Sequence, residues 1–313
     1  MGTRRGKGEK KRLVITGISG RLGRQLARAL HNDFEIIGID RRGARHLPPD
    51  VVVHDFDIRR KACEDIFRRQ RIEAVVHLNI LHNLHKNSDE RHTFNVGGTH
   101  RILDYCVKHG VNKFVLLSSA NVYGADPTNH QFFNEEAPLM AASAFSLIRD
   151  LVEIDIYTNS FFWRHPEVDA VVLRPVNIVG PVGNAISNYL RLKNPPTVLG
   201  FDPMLQLVHM DDVVEAMRLA LRPGIRGVFN ITGPGSIALS VLQRQLGRRK
   251  IPLPDAVVRP ITKLMWDLRL TTFPPAELDF IKYVCMVDGS RAREVLGYRP
   301  QKTLRETIEA VRY

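Results

Sequence analysis

Two hydrophobic periods alternate along the first half of the chain. Short, mostly apolar runs at Leu13-Val14-Ile15, 35–39, 51–54, 74–78, 114–118 and 170–173 have the length and texture of buried strands. Between them, Arg21–Leu30, Lys61–Arg69, 94–109 and 143–161 repeat apolar positions every three or four residues. That spacing gathers the apolar side chains on one helix face. Strands alternating with helices pair in parallel through right-handed crossovers. The pattern therefore predicts an α/β fold, a Rossmann-type doubly wound parallel sheet covered on both faces.

The first strand runs straight into Thr16-Gly17-Ile18-Ser19-Gly20-Arg21-Leu22-Gly23. A glycine-rich turn between a strand and a helix is the entry to a dinucleotide-binding fold. Gly17 permits the sharp turn, Gly20 removes a side chain where backbone approaches pyrophosphate, and Gly23 lets the helix pack closely. Ser19, Gly20, Arg21 and Leu22 surround the helix start, whose free N–H groups and positive dipole end suit phosphates. Asp40 closes the second strand at the interval expected of a carboxylate that accepts the adenosine ribose hydroxyls. It would repel a 2′-phosphate and so favours NAD. Arg41 and Arg42 follow at once and could pair with such a phosphate, which keeps NADP as the second choice.

Beyond residue 180 the texture changes. Pro181, Pro195, Pro196 and Pro203 punctuate shorter segments, while a helix at 211–221 and the strand Gly227–Ile231 read as a return to the sheet. Residues 1–12 form a basic tail, and 13–180 form an NAD(P)-binding domain to which 206–232 return. Residues 181–205 and 233–313 form a smaller, discontinuous α/β substrate lobe, with the ligand cleft between the two.

Charge and composition narrow the partners. A net charge of +12 could draw nucleic acid, anionic lipid or an anionic cofactor and substrate. The basic clusters are not interleaved with aromatic residues as a single-strand platform requires, so nucleic-acid binding is not expected. No run approaches the roughly 18 apolar residues of a membrane helix. The tail has no apolar stretch behind its basic residues and does not read as a secretory signal. Cys63, Cys106 and Cys285 are far apart and lack metal-ligand spacing. They read as free thiols in a reducing compartment, the cytoplasm by default.

Further landmarks make the chain resemble the extended short-chain dehydrogenase/reductase family, which contains NAD-dependent epimerases and dehydratases of sugar nucleotides. Beside the glycine turn these are Asp57-Ile58-Arg59, Val75-Val76-His77-Leu78-Asn79, Asn95-Val96-Gly97-Gly98-Thr99, Ser118-Ser119-Ala120-Asn121-Val122-Tyr123-Gly124, Arg174-Pro175-Val176-Asn177, Val208-His209-Met210-Asp211-Asp212-Val213 and 288–300. The resemblance implies that Asp57 and Ile58 contact the adenine, that Leu78, Asn79 and Ile80 lie against the cofactor, and that Asn95 stabilises the sheet beside it. It places the catalytic hydroxyl on Ser119 and the nicotinamide end at Asn177. It also implies a homodimer paired through helices on the sheet's flank.

The family's central catalyst, Tyr-x-x-x-Lys, falls on Phe145-Ser146-Leu147-Ile148-Arg149. Phe145 has no titratable group, and Arg149 keeps a permanent charge that can bond a ribose but not exchange a proton. Loss of a positioned acid/base removes about 10²–10⁴ in rate. Tyr123 and the histidines His82, His85 and His92 are the surrogate acid/base candidates; His82 and His85 lack a third ligand at metal spacing, so no metal is expected. The arginine that sugar-nucleotide members place before the Val-His pair is Leu205 here, although Arg191, Lys193 or Arg259 could compensate. Val258, Ile261, Met265 and Leu268 share one helical face, expected to be buried in the substrate lobe. Alternatives for it are a lid over an apolar substrate or a weak contact with an anionic membrane surface. Three functional readings remain open: an atypical oxidoreductase acting on a small molecule, a non-catalytic dinucleotide-binding sensor or partner subunit, and, third, a peripheral membrane enzyme acting on a lipid or polyprenyl-linked substrate.

Overall fold

The computed structural model describes residues 10–81, 88–143, 146–271 and 273–313. Most of the basic tail, with His82, His85 and Phe145, therefore lies outside the described residues.

The first half follows the alternating pattern. β1 (Lys11–Thr16), α1 (Arg21–Leu30), β2 (Phe34–Asp40), β3 (Val52–Asp55), α2 (Lys61–Arg69) and β4 (Ala74–His77) come first. Next, α3 (Ser88–His92) passes through one π turn, Thr93–Gly97, into α4 (Gly98–Lys108). β5 (Lys113–Leu117), α5 (Ser146–Arg164) and β6 (Asp169–Pro175) complete this part. The remainder comprises β7 (Asn177–Val179), α6 (Ala185–Arg191), β8 (Pro196–Val198), β9 (Met204–His209), α7 (Met210–Ala220) and β10 (Gly227–Ile231), then β11 (Ser236–Ala238), α8 (Leu239–Gln245), β12 (Ile251–Leu253), α9 (Asp255–Asp267) and α10 (Leu304–Glu309).

Seven strands form one parallel sheet in the order β10-β6-β5-β4-β1-β2-β3. From β1 the chain first builds outward through β2 and β3, then crosses back to β4 on β1's other side. That reversal opens a crevice at the carboxyl ends of β1 and β4, where open α/β sheets bind ligands. Leu13, Val14 and Ile15 are fully buried because helices cover both sheet faces.

A second apolar cluster, including Val179, Tyr189, Leu207, Leu242, Ile308 and Val311, lies under a three-stranded sheet, β11-β9-β7. β8 and β12 pair beside it. The lobes interleave more than the sequence ranges suggest. β9 belongs to the small sheet, while α7 and β10 return to the large one. Val287, Leu296 and Tyr298 pack into the large core. β11 and β12 are three residues each, too short for a period to register.

Two helices differ from the sequence reading for identifiable reasons. The helix expected at 94–109 is broken by the π turn, a device that re-aims one side chain. Here Asn95 points inward to the chain leaving β4, where its carboxamide accepts from Leu81 N at 2.8 Å. The face of α9 expected to be buried is not: Val258 is buried, but Ile261, Met265 and Leu268 are 45%, 40% and 59% exposed. Arg259 holds the helix in this rotation by donating to Asp279 at 2.6 Å in the following 3-10 turn, Pro275–Ile281.

Candidate functional site

The glycine turn sits at the crevice. Gly17 has φ +75, and a Cβ there would lie 2.8 Å from the backbone carbon of Leu78. Leu78 N in turn donates to Thr16 O at 3.1 Å, so the turn is pressed against the end of β4. A Cβ on Gly23 would come within 2.6 Å of Gly17 O, which is why α1 can lie so close to the strand. Gly20 differs, since its Cβ would meet only Gly17 O, at 3.2 Å. The space beyond it is open. No side chain caps the start of α1, so the backbone N–H groups there remain for a ligand. Arg21 is exposed and donates to the Pro181 carbonyl, while Leu22 is half-buried.

Asp40 ends β2 beside this turn, and its carboxylate is already engaged. One oxygen accepts from Ser19 Oγ at 2.6 Å and Ser19 N at 3.2 Å, and the other accepts from Arg42 N at 3.0 Å. A carboxylate has about four acceptor sites, so positions remain for ribose hydroxyls. Next to it opens a cleft of about 440 Å³ lined by Arg41, Asp55, Phe56, Asp57, Arg59 and Arg60. Arg41 and Arg59 stack on the Phe94 ring, 4.5 and 5.3 Å from its centroid. Arg59 donates bidentately to Asp57, at 3.0 and 2.7 Å. Burial would raise the Asp57 pKa, but these bonds and the Arg59 charge outweigh it and hold the carboxyl below its usual range. Ile58 is fully buried, and a Cβ on Gly98 would fall 2.6 Å from its Cδ1. Its side chain therefore packs in the core, away from the cleft.

At the end of β4, Asn79 is 7% exposed and Ile80 8%. The Asn79 Nδ2 is buried with no hydrogen-bond partner among the described residues. One element deeper, Thr99 Oγ1 donates to Asn95 O at 2.6 Å. It therefore accepts from His77 Nε2 at 3.0 Å, leaving His77 Nδ1 to accept from Thr16 Oγ1 at 2.7 Å. This fixes His77 as the neutral Nε2–H tautomer, and burial pushes its pKa down to about 3. Asn95 Nδ2 also donates to Asp150 at 3.1 Å. Asp150 accepts in addition from Arg91 Nε at 3.2 Å and lies 3.0 Å from His92 Nδ1. Asn95, with Arg91 and His92, thus fastens the start of α5 to the chain leaving β4.

The residues proposed for proton transfer stand on different elements. Ser119 is half-exposed at the end of β5, and its Oγ accepts from Asn121 N at 3.2 Å. Arg149 is exposed on α5 and donates to Ala142 O at 3.4 Å. Asn177, half-buried in β7, donates to Gln206 O at 3.1 Å. Tyr123 must be removed from the surrogate acids. Its hydroxyl is enclosed, donating to Asn230 Oδ1 at 2.8 Å and accepting from Arg174 at 2.7 Å. Burial raises its pKa to about 12, against the lowering effect of Arg174. His92 is committed to Asp150.

The small lobe settles the compensating arginines. Leu205 is buried in β9. Arg191 spends its guanidinium on the carbonyls of Gly180, Val182 and Val311, at 2.7, 2.9 and 3.0 Å. Arg259 is paired with Asp255 and Asp279. Lys193 is exposed.

The sequence reading missed Asp150 and Asp155 as organisers. Both lie at helical spacing from Leu147, Ile148, Leu151 and Val152, on the apolar face of α5. A carboxylate on a buried face was the available signal, because it requires a partner.

Comparison with known proteins agrees with this geometry. An uncharacterized protein of Mycobacterium tuberculosis is 29% identical over 258 residues, covering 81% of this chain and 68% of that one. A dTDP-D-glucose 4,6-dehydratase of Dictyostelium discoideum is 28% identical over 190 residues, covering 54% and 43%. Among solved structures, UDP-glucose 4-epimerase of Thermotoga maritima with UDP-glucose superposes with a TM-score of 0.75 at 20% identity, covering 96% of this chain and 97% of that one. A dTDP-glucose 4,6-dehydratase of Bacillus anthracis in complex with NAD gives 0.72 at 18% identity, covering 96% and 95%. The sequence profile of one family matches residues 13–232, from the first strand of the large sheet to just past its last. With its glycine turn at the β1/β4 switch point, the chain belongs to the NAD dependent epimerase/dehydratase family.

Proposed function

We propose that this chain binds NAD across the β1/β4 crevice. There it serves as an epimerase/dehydratase-like or dehydrogenase-like oxidoreductase with altered proton-transfer residues. The observation that carries the reading is the pairing of an uncapped α1 over the open face of Gly20 with the unpartnered Asn79 amide across the crevice. A buried donor left unmade costs about 1–3 kcal/mol, and an acceptor on a bound dinucleotide relieves that cost. Backbone N–H groups of the α1 start hold the pyrophosphate, and Asp40, still anchored by Ser19, accepts from the ribose. When bound, NAD supplies a hydride acceptor. Ser119 orients a substrate oxygen, and Arg149 contributes charge without carrying a proton.

Calorimetric titration tests the cofactor site: NAD binds more tightly than NADP, and absence of heat with either dinucleotide overturns the reading. Cys63 and Cys106, both buried, and Cys285, half-buried, are free thiols; free thiols fit a reducing compartment, and we place the protein in the cytoplasm.

A second reading, a non-catalytic dinucleotide-binding sensor or partner subunit, is favoured by Phe145 in the sequence together with the enclosure of Tyr123. It predicts NAD binding without turnover of any sugar nucleotide or alcohol.

A further inference from the structure

The small lobe turns apolar surface outward on α9. Val257, Ile261, Leu264 and Leu268 follow one another at intervals of three or four residues and form a single stripe along the helix. They are 39%, 45%, 59% and 59% exposed. Met265 and Leu270 widen the stripe near its carboxyl end, at 40% and 68%. The helix is held to the lobe by buried Val258 on one flank of the stripe and by Arg259 on the opposite side, which is paired with Asp255 and Asp279. Rolling the stripe inward would break the two pairs that tie α9 to the following segment, Arg259–Asp279 and Asp255–Lys282, so its exposure is built into the packing. A contiguous apolar stripe on a helix at the surface marks an interaction site.

The charge of the segment that carries the stripe points to the occupant. Residues 244–270 contain seven basic side chains, Arg244, Arg248, Arg249, Lys250, Arg259, Lys263 and Arg269, and two acidic ones, Asp255 and Asp267. Both carboxylates are neutralised locally, Asp255 by Arg259 and Lys282 and Asp267 by Lys263. The run Arg248-Arg249-Lys250 is half-buried at its first residue and exposed at the next two. An apolar helix face carried by a net basic segment suits the plane of an anionic bilayer, apolar side chains in the acyl boundary and cations at the phosphates. A second copy of the chain fits less well, since a two-fold contact through this face would bring two copies of the same net basic segment together.

We propose that α9 seats the small lobe on an anionic lipid surface. The inference is independent of the cofactor reading, because none of the stripe residues takes part in the crevice at β1 and β4.

The test is co-sedimentation of the full chain with phosphatidylcholine vesicles containing phosphatidylglycerol, and with phosphatidylcholine alone. Binding is expected only to the anionic vesicles. It should weaken at least about tenfold as salt shortens the screening length from about 10 Å at 0.1 M to about 3 Å at 1 M. The double substitution Leu264→Asp and Leu268→Asp, at exposed positions, should lower binding at least about tenfold while leaving the melting temperature and NAD titration unchanged. Should that variant fail to fold, Arg248→Gln, Arg249→Gln and Lys250→Gln together give the same loss by removing charge alone. No sedimentation at low salt, or equal sedimentation of a folded Leu264→Asp/Leu268→Asp protein, overturns the proposal. So does a concentration-dependent dimer abolished by that change in a protein that ignores vesicles, which would make the second copy the occupant.

Discussion

Arg174 and Asp155 form a bidentate ion pair in the core, with Nη2 2.6 Å from one carboxylate oxygen and Nε 3.0 Å from the other. Both side chains are almost wholly buried, at 3% and 0% exposure. The pair joins β6 to α5, while Ser118 adds a 2.7 Å bond to Asp155 and Arg174 reaches the Tyr123 hydroxyl. The strand-end segments on which Ser119 and Asn177 stand are therefore held by one polar cluster.

Asp155→Ala leaves a buried guanidinium without its counter-charge, and should cost about 3–5 kcal/mol in urea unfolding. Replacing both partners with apolar residues of similar volume should cost much less, because no charge is then stranded. Equal losses in the single and double variants would contradict the pair's role.

Tyr123→Phe separates structure from chemistry. It removes one donor to Asn230 and one acceptor for Arg174, and should lower stability by about 1–3 kcal/mol. Any turnover of the folded protein should be unchanged. A loss of turnover with stability retained would return Tyr123 to the chemistry.

His77 should make stability fall in acid. Its folded pKa, near 3, lies below the ordinary 6.5, so between those values the unfolded chain binds the additional proton. The stabilisation is complete above pH 6.5 and declines as pH falls towards 3, by about 1.4 kcal/mol per unit. Urea titrations across that range should show the slope, and His77→Gln should flatten it while lowering stability at neutral pH.

The three glycines of the turn should fail differently. Gly17→Ala meets the Leu78 backbone and a left-handed φ, so it should destabilise the fold by about 1–3 kcal/mol. Gly20→Ala brings a methyl against a single atom, Gly17 O at 3.2 Å, so it should cost the fold less than Gly17→Ala while NAD affinity falls at least about tenfold. Calorimetry and thermal melts on both variants check the contrast. Equal affinity for NAD in the Gly20→Ala protein would move the pyrophosphate elsewhere.

Phe145→Tyr with Arg149→Lys tests the altered catalyst. In an oxidoreductase working without its usual acid/base, the double change should raise turnover with a sugar nucleotide or alcohol, by up to about 10²–10⁴. Reduced nicotinamide is the readout. No turnover before or after the change supports the sensor or partner-subunit reading.

Much of the architecture was legible in the chain because it is local. Strand runs, helix spacing and the glycine turn are all written within stretches of a few residues, and Gly17 and Gly23 have no room for a Cβ for the reasons their spacing implied. Side-chain partners were not legible in this way. Asp40 lay at the ribose interval, but its engagement by Ser19, 21 residues away in the chain, depends on β1 and β2 lying side by side. Arg191 and Tyr123 looked free to act until carbonyls and polar groups far along the chain claimed them.

By itself the sequence determined the parallel sheet, the glycine turn and the family, because hydrophobic period and backbone freedom act over short distances. The tertiary structure alone decided which polar groups are spent on the scaffold and which way α9 faces. Its apolar stripe satisfies helical periodicity whether turned in or out, and the choice fell to the ion pairs Arg259–Asp279 and Asp255–Lys282, which tie the helix to the segment after it.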